Sequence, residues 1–204
     1  MKIGPKYKIC RRVGDRVFGK CESSKFTISG TERVRRGGKH PKGAPSEYSL
    51  QLTEKQKARF TYGLSEKQFS KYVNEAKIKK GVDPSAEIYK KLEKRLDNII
   101  YRLGLANSRQ AARQLVSHGH MIVNGSKIRV PSYSVKIGDK ISIREGSKSK
   151  APFVSIDEKL NGKNVPSWLS FDQQKKEAVV KGDPVFGDSE KNINFVSILE
   201  FYSR

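Results

Sequence analysis

Between Ser108 and Gly125 the apolar spacing of the chain changes period, and that change restricts the fold more than any other feature. In SRQAARQLVSHGHMIVNG, Ala111, Ala112, Leu115 and Val116 recur at helical spacing behind Ser108, whose hydroxyl suits the capping position, and Gly119 supplies a stop. From Met121 to Val123 the reading changes to strand, ending at Asn124-Gly125, the dipeptide of a tight hairpin turn. A short helix must therefore run straight into a hairpin, with Arg109 and Arg113 four apart on one side of it.

Upstream, the pattern is helical from Gln51. In SEKQFSKYVNEAKIKKG, Ser65 stands three residues before Gln68 as in a capping box, Phe69, Tyr72, Val73 and Ala76 share a face, and Gly81 ends the run. Asp83-Pro84 opens a further helix, in which Ile88, Leu92, Leu96, Ile99, Ile100 and Leu103 recur at spacings of three and four up to Gly104. Downstream, Lys127 to Val130, Val135, a turn at Gly138-Asp139 and Lys140 to Arg144 complete a small curved antiparallel sheet. Residues 148–166 are polar and weakly periodic. The remainder carries Trp168, Phe171, Phe195, Ile198, Leu199 and Phe201, and reads as short strands and loops that fold back on the N-terminal helices. The expected class is α+β: a helical N-terminal body with the C-terminal tail packed on it, and an inserted small module of helices plus a small antiparallel sheet. The divisions fall at 1–48, a basic arm; 49–92, the helical part of the body; 93–150, the module; and 151–204, the C-terminal segment.

Charge says what kind of partner to expect. The 204 residues include 42 Lys and Arg against 21 Asp and Glu, a net +21 that exceeds what solubility requires and implies a polyanion. Residues 1–60 carry 16 basic and 5 acidic side chains (+11), residues 61–150 carry 19 and 8 (+11), and residues 151–204 carry 7 and 8 (−1). The positive charge thus runs through the arm and the module and stops before the tail. In the arm, Tyr7, Phe18, Phe26 and Tyr48 interleave aromatic surface with the charge, which suits packing as well as stacking on bases. No apolar run approaches the roughly 20 residues needed to cross a bilayer, and the N-terminus lacks the apolar centre of a signal peptide. A cytosolic location, or an organelle interior, and no membrane partner are the expectations.

Arg109, Arg113 and Gln114 on one helix face, with Ser108 and backbone amides at its start, offer phosphate ligands in a fixed array. The stretch RLDNIIYRLGLANSRQAARQLVSHGHMIVNGSKIRVPSYSVKIGDKISI resembles the RNA-binding module shared by the fourth small-subunit ribosomal protein, several pseudouridine synthases, bacterial tyrosyl-tRNA synthetases and a heat-shock ribosome-rescue protein. IGPKYKICRRVG, SEYSLQLTEKQKARFTYGLSEKQF and the terminal LEFYSR extend the likeness to nearly the whole chain, and it is similar to the bacterial small-subunit ribosomal protein S-four family. The resemblance implies an α-L type module and a structural, primary rRNA-binding role early in assembly of the five-prime domain. It also implies contact with the fifth small-subunit protein and a place near the channel by which mRNA enters, with a contribution to translational accuracy; some members repress their own operon. It carries RNA contact onto Arg109, Arg113, Gln114, His118 and Asn124 with its turn, and more loosely onto Arg11, Arg12, Lys55, Lys57 and Arg59. Arg95 and Asp97 match family positions as framework residues.

Two rival chemistries are weak. Some relatives carry four zinc-binding cysteines near the N-terminus, whereas this chain has only Cys10 and Cys21, with His40 distant, short of the four ligands that structural Zn requires, so no cofactor is expected. His118-Gly119-His120 has no ligand cluster beside it, and phosphate or base contact or plain structure suits it better. No nucleotide-binding glycine loop, HExxH or GxSxG is present. Asp97 in RLDN has the look of the catalytic aspartate of pseudouridine synthases, but it falls on a helix, and the flanks leave little room for a catalytic sheet. A free RNA-binding translational regulator and an RNA-modifying enzyme are the alternatives to a ribosomal protein.

Overall fold

The computed structural model describes residues 3–23, 26, 45–150, 153, 165–172, 175–186 and 193–204. Two compact units divide the chain, Met1–Ser85 with Ser189–Arg204 and Ala86–Asp188.

In the first unit, α1 (Lys6–Val13) ends at Gly14, and a 3₁₀ turn (Gly19–Glu22) follows. Together they bury Cys10, Val13, Val17, Cys21 and Phe26, so the start of the expected basic arm is a small folded cluster. Most of the remaining arm, 27–44, lies outside the described residues. Helix α2 (Glu47–Tyr62) begins four residues before the sequence pattern suggests, because the Ser46 hydroxyl accepts the Ser49 amide at 3.3 Å and caps it. Helix α3 (Glu66–Ile78) is capped by Ser65 as expected and buries Phe69, Val73 and Ala76. The C-terminal α7 (Phe195–Phe201) packs on α2 and buries Phe195 and Ile198.

The single helix expected from Pro84 to Leu103 is two. Helix α4 (Pro84–Glu93) and α5 (Leu96–Arg102) are separated at Arg95, whose backbone is extended with φ −68° and ψ 135°. Long-range hydrogen bonds outweigh the helical periodicity there. Leu96 N donates to Tyr133 O at 2.9 Å, Asp97 N to Pro131 O at 3.1 Å, and Val135 N to Lys94 O at 2.9 Å. The strand expected at Val135 is replaced by these contacts and by a single bridge between Arg95 and Ser134.

Helix α6 (Arg109–Ser117) is capped by Ser108, whose hydroxyl accepts the Ala111 amide at 3.2 Å. It leads through Gly119, at φ 72°, into β1 (Met121–Val123) and β2 (Ser126–Ile128). Their turn places Asn124 and Gly125 at φ 49° and 80°, the left-handed pair that matches strand twist. Strands β3 (Lys140–Ile143), β4 (Leu169–Asp172) and β5 (Glu177–Val180) complete an antiparallel sheet in the order β2-β1-β3-β5-β4.

The C-terminal segment, expected to pack as one piece on the helical body, is divided. Residues 169–180 pair with β3 through Ile141↔Ala178, while 195–201 form α7 on α2. Alternation is the reason: Ala178 and Val180 are buried with Ile141 and Ile143 in a core that also holds Leu96, Ile99, Ile100, Leu103, Val116 and Met121. Each such aliphatic side chain contributes about 1.5–3 kcal/mol when fully buried.

Candidate nucleic-acid interface

Helices α5 and α6 pack against each other over this core, and a row of polar side chains joins them along one edge. Asp97, 2% exposed, lies between two arginines. Arg95 donates Nε to Oδ1 at 3.0 Å and Nη2 to Oδ2 at 2.8 Å, and Arg113 donates Nε and Nη2 to Oδ2 at 2.9 and 2.8 Å. Beside them Glu93, wholly buried, receives Arg102 through two bonds of 2.8 Å and the Asn98 amide at 2.9 Å. Asn98 Oδ1 in turn accepts Arg109 Nε at 2.7 Å, and the Arg109 guanidinium lies 4.4 Å from the centre of the Tyr101 ring. Both arginines are half-buried, fixed by residues of α5 or just before it rather than swinging from the helix surface. Arg95 and Asp97 form the framework pair expected of them.

Gln114 is exposed on the same helix and His118 at its C-terminal cap. With Ala106, Ala111, Leu115 and His120 they line a half-open groove of about 320 Å³. Asn124 serves the sheet: its amide donates to Asp139 Oδ1 at 2.7 Å and its Oδ1 accepts Lys140 N at 2.9 Å, tying the hairpin turn to the 138–139 turn.

The first-unit candidates divide. Arg11 and Arg12 are exposed, Arg11 lying 5.6 Å over Phe26. Lys55 is buried, bonded to Glu66 at 3.0 Å and 4.3 Å from the Phe201 ring centre. Lys57 is buried against Asp15 at 3.0 Å, and Arg59 donates to Gln56 at 2.6 Å over the Phe60 ring. These three face acids, an amide and aromatic rings of their own unit. Gln56 and Phe60 lie within EKQKARF beside Arg59, but the spacing there does not reveal the burial of Lys55 and Lys57, because Glu66, Phe201 and Asp15 lie in other parts of the chain.

Four cations that the sequence reading passed over gather at Gly119. The register puts His120 beside Arg129 and Arg144, since Met121 pairs with both Ile128 and Ile143, and Arg144 N donates to His120 O at 2.9 Å. Lys127 and Lys150 join them, and all four are exposed with no ion pair to a carboxylate among the described residues. The Lys127 stem lies over Gly119, so that a Cβ on that glycine would sit 2.3 Å from Lys127 Cε and 3.3 Å from Arg129 Nε. Partial desolvation there, then repulsion from Arg129, Arg144 and Lys150, lowers the Lys127 ammonium from its ordinary range. Burial, then Lys150, His118, Arg144 and Lys127, likewise lowers the His120 imidazole, whose Nδ1 is 2.9 Å from Ser147 Oγ. The one sequence signal was Lys127 and Arg129 two apart on a strand; Arg144 and Lys150 are brought to them only by the register.

Cys10 and Cys21 are buried in contact, Sγ to Sγ 2.6 Å, and burial, then the bond and charge of Cys10, pushes the Cys21 thiol up to about 11. Among the described residues no group of three or more His, Cys, Asp or Glu is arranged to hold a metal; His40 lies outside them. No described helix is long and apolar enough to cross a membrane.

Helix α5 and the Ser108-capped α6 thus lead into a hairpin that carries Lys127 and Arg129. Residues 94–141 match the family described as S4 domain, and residues 1–93 match the Ribosomal protein S4/S9 N-terminal domain. Relatives named small ribosomal subunit protein uS4 align along almost the whole chain. The one from Syntrophomonas wolfei is 42% identical, with 96% of this chain and 95% of its own length covered. That from Christiangramia forsetii is 41% identical with 98% of each covered, and that from Acinetobacter baylyi 39% with 99% and 98%. The chain belongs to the uS4 family of small ribosomal subunit proteins.

Proposed function

We propose that the chain is a structural component of the small ribosomal subunit that binds its rRNA directly. The observation that carries this is the end-to-end likeness to proteins of that name, over both family regions. The net charge of +21 and the basic cluster at Gly119, which has no ion pair to a carboxylate among the described residues, suit a phosphate backbone, and affinity would follow phosphate neutralisation and RNA shape. The chain acts in the cytoplasm, as part of the subunit, and its role is not catalytic. Asp97, the residue that most resembles a catalytic carboxylate, is buried between Arg95 and Arg113, where no substrate base reaches it.

The finer roles rest on family likeness. They are primary binding that nucleates the five-prime domain, contact with the fifth small-subunit protein, and a place beside the mRNA channel with an effect on translational accuracy. The RNA-facing set is Arg109, Arg113, Gln114, His118 and Asn124 in the module with Arg11 and Arg12 on α1. Lys55, Lys57 and Arg59 on α2, the looser candidates, are held by Glu66, Asp15 and Gln56 and act on RNA through that framework. Binding to deproteinised small-subunit rRNA, and cofractionation with small subunits through a high-salt wash, test the reading. Loss of the protein from washed subunits would favour a free regulator, and conversion of uridine in isolated rRNA would favour an enzyme.

A further inference from the structure

The groove on α6 and the cation cluster at Gly119 meet at His120. His118 and His120 line the groove, the strand register sets His120 beside Arg129 and Arg144, and Arg144 N donates to His120 O at 2.9 Å. The groove has an apolar floor of Ala106, Ala111 and Leu115 and a polar edge that includes Gln114. Its 320 Å³ is at the small end of ligand pockets. The two lining imidazoles stand edge to face with centroids 6.1 Å apart. Flat apolar floor, amide edge, imidazole wall and a cationic rim form the set of contacts by which proteins hold a base that has left its stack.

We propose that this groove receives one unpaired nucleotide of the rRNA, with its base on the Ala111 and Leu115 floor and its flanking phosphates on Lys127, Arg129, Arg144 and Lys150. The inference rests on the reading of the chain as an rRNA binder and adds where, and with what chemistry, it reads an unstacked base. Gly119 is part of the device: with no side chain it lets Lys127 lie across the helix end and bring its ammonium to the rim.

Phosphate and base contacts differ in their salt dependence, so they can be tested separately. Full-length protein is titrated against deproteinised small-subunit rRNA at several salt concentrations, with circular dichroism melts to confirm the fold. Lys127→Gln/Arg129→Gln should reduce the slope of log affinity against log salt by about two, on the basis of about one per phosphate-contacting cation. Lys67→Gln/Lys71→Gln on α3 removes the same charge and should leave the slope unchanged. Ala111→Leu, which fills the groove, should weaken binding on the order of tenfold at an unchanged slope. Gln114→Ala/His118→Ala, which trims only exposed side chains, should do the same should Ala111→Leu disturb packing. An unchanged slope in the Lys127/Arg129 variant, an equal loss in the α3 control, or wild-type affinity in both groove variants overturns the nucleotide site. Failure of the unaltered protein to bind rRNA instead overturns the parent reading, and the inference with it.

Discussion

Arg113 Nε and Nη2 both donate to a single oxygen of Asp97, Oδ2, while Arg95 approaches the carboxylate from its own side. A residue that the sequence offers as a phosphate ligand is thus also the clasp between α6 and the start of α5. Asp97→Ala leaves Arg95, 2% exposed, as a buried charge without its acid, and should destabilise the second unit by about 3–5 kcal/mol. Arg113→Ala keeps the Arg95 pair, and its side chain is 25% exposed, so about 1–2 kcal/mol is expected. Urea denaturation of both variants measures this, and an Asp97→Ala protein as stable as the wild type would refute it. The further consequence is that changing Arg109 and Arg113 together to Ala should weaken folding, so a loss of RNA binding in that variant must be read beside its melt.

Gly119 combines a left-handed backbone with a close approach by Lys127. Gly119→Ala meets both. The Lys127 Cε, at 2.3 Å from the new Cβ, is the far end of a flexible side chain and can move aside, whereas the φ of 72° cannot be relieved. Backbone strain of about 1–3 kcal/mol remains, and calorimetry should show the corresponding fall in melting temperature. A variant melting like the wild type would mean that the helix end relaxes freely.

Local chemistry made much of this fold legible. Ser65 and Ser108 cap the helices they precede, and Asn124-Gly125 makes the hairpin turn, because a cap or a turn is decided by a few adjacent residues. What escaped was decided by distant partners. The break at Arg95 depends on carbonyls at 131 and 133, and the division of the C-terminal segment depends on a β3 edge that Ala178 can join. The site divides in the same way. Exposure of Gln114 and His118 follows from helix periodicity, but the burial of Lys55 and Lys57 comes from Glu66 and Asp15, and the gathering of Lys127, Arg129, Arg144 and Lys150 comes from strand register.

His120 gives the second unit a dependence on pH. Burial, then the charges of Lys150, Arg144 and Lys127 and the neighbouring His118, lower its imidazole below the ordinary 6.5; Ser147 and Phe153 are its other neighbours. The unfolded chain therefore takes up this proton first. The stabilisation is complete above the unfolded value and is lost as pH falls from about 6.5 through the lowered folded value, a slope of a fraction of a proton. His120→Asn should remove that part of the slope, read from urea midpoints between pH 7 and pH 5. Identical slopes in the two proteins would show that His120 titrates as in the unfolded chain.

Glu66 gives the first unit an opposite carboxylate case. Burial opposes its charge, but the Tyr202 hydroxyl, donating at 2.6 Å, with Lys55 at 3.0 Å and Arg59 at 3.6 Å, outweighs burial and holds its carboxyl below the ordinary range. The same contact raises the Tyr202 phenol, through burial first and then the Glu66 bond and charge. A depressed carboxyl contributes stability that is fully present above the unfolded value near 4.3 and lost as pH falls through the folded one. Because the Glu66 side chain is 45% exposed, solvent screening limits its share at neutral pH to on the order of 1 kcal/mol. Glu66→Gln should therefore lower the neutral melting temperature slightly and flatten the acid limb below about pH 4.5. Tyr202→Phe should reproduce part of both effects, since it removes one donor and leaves Lys55 in place. Deleting residues 193–204 removes Tyr202 together with the buried Phe195 and Ile198, and should cost several-fold more, on the order of 3–6 kcal/mol. A deletion that melts no lower than Glu66→Gln would mean that α7 adds only the Tyr202 bond to α2 and α3, and that its apolar face contributes nothing.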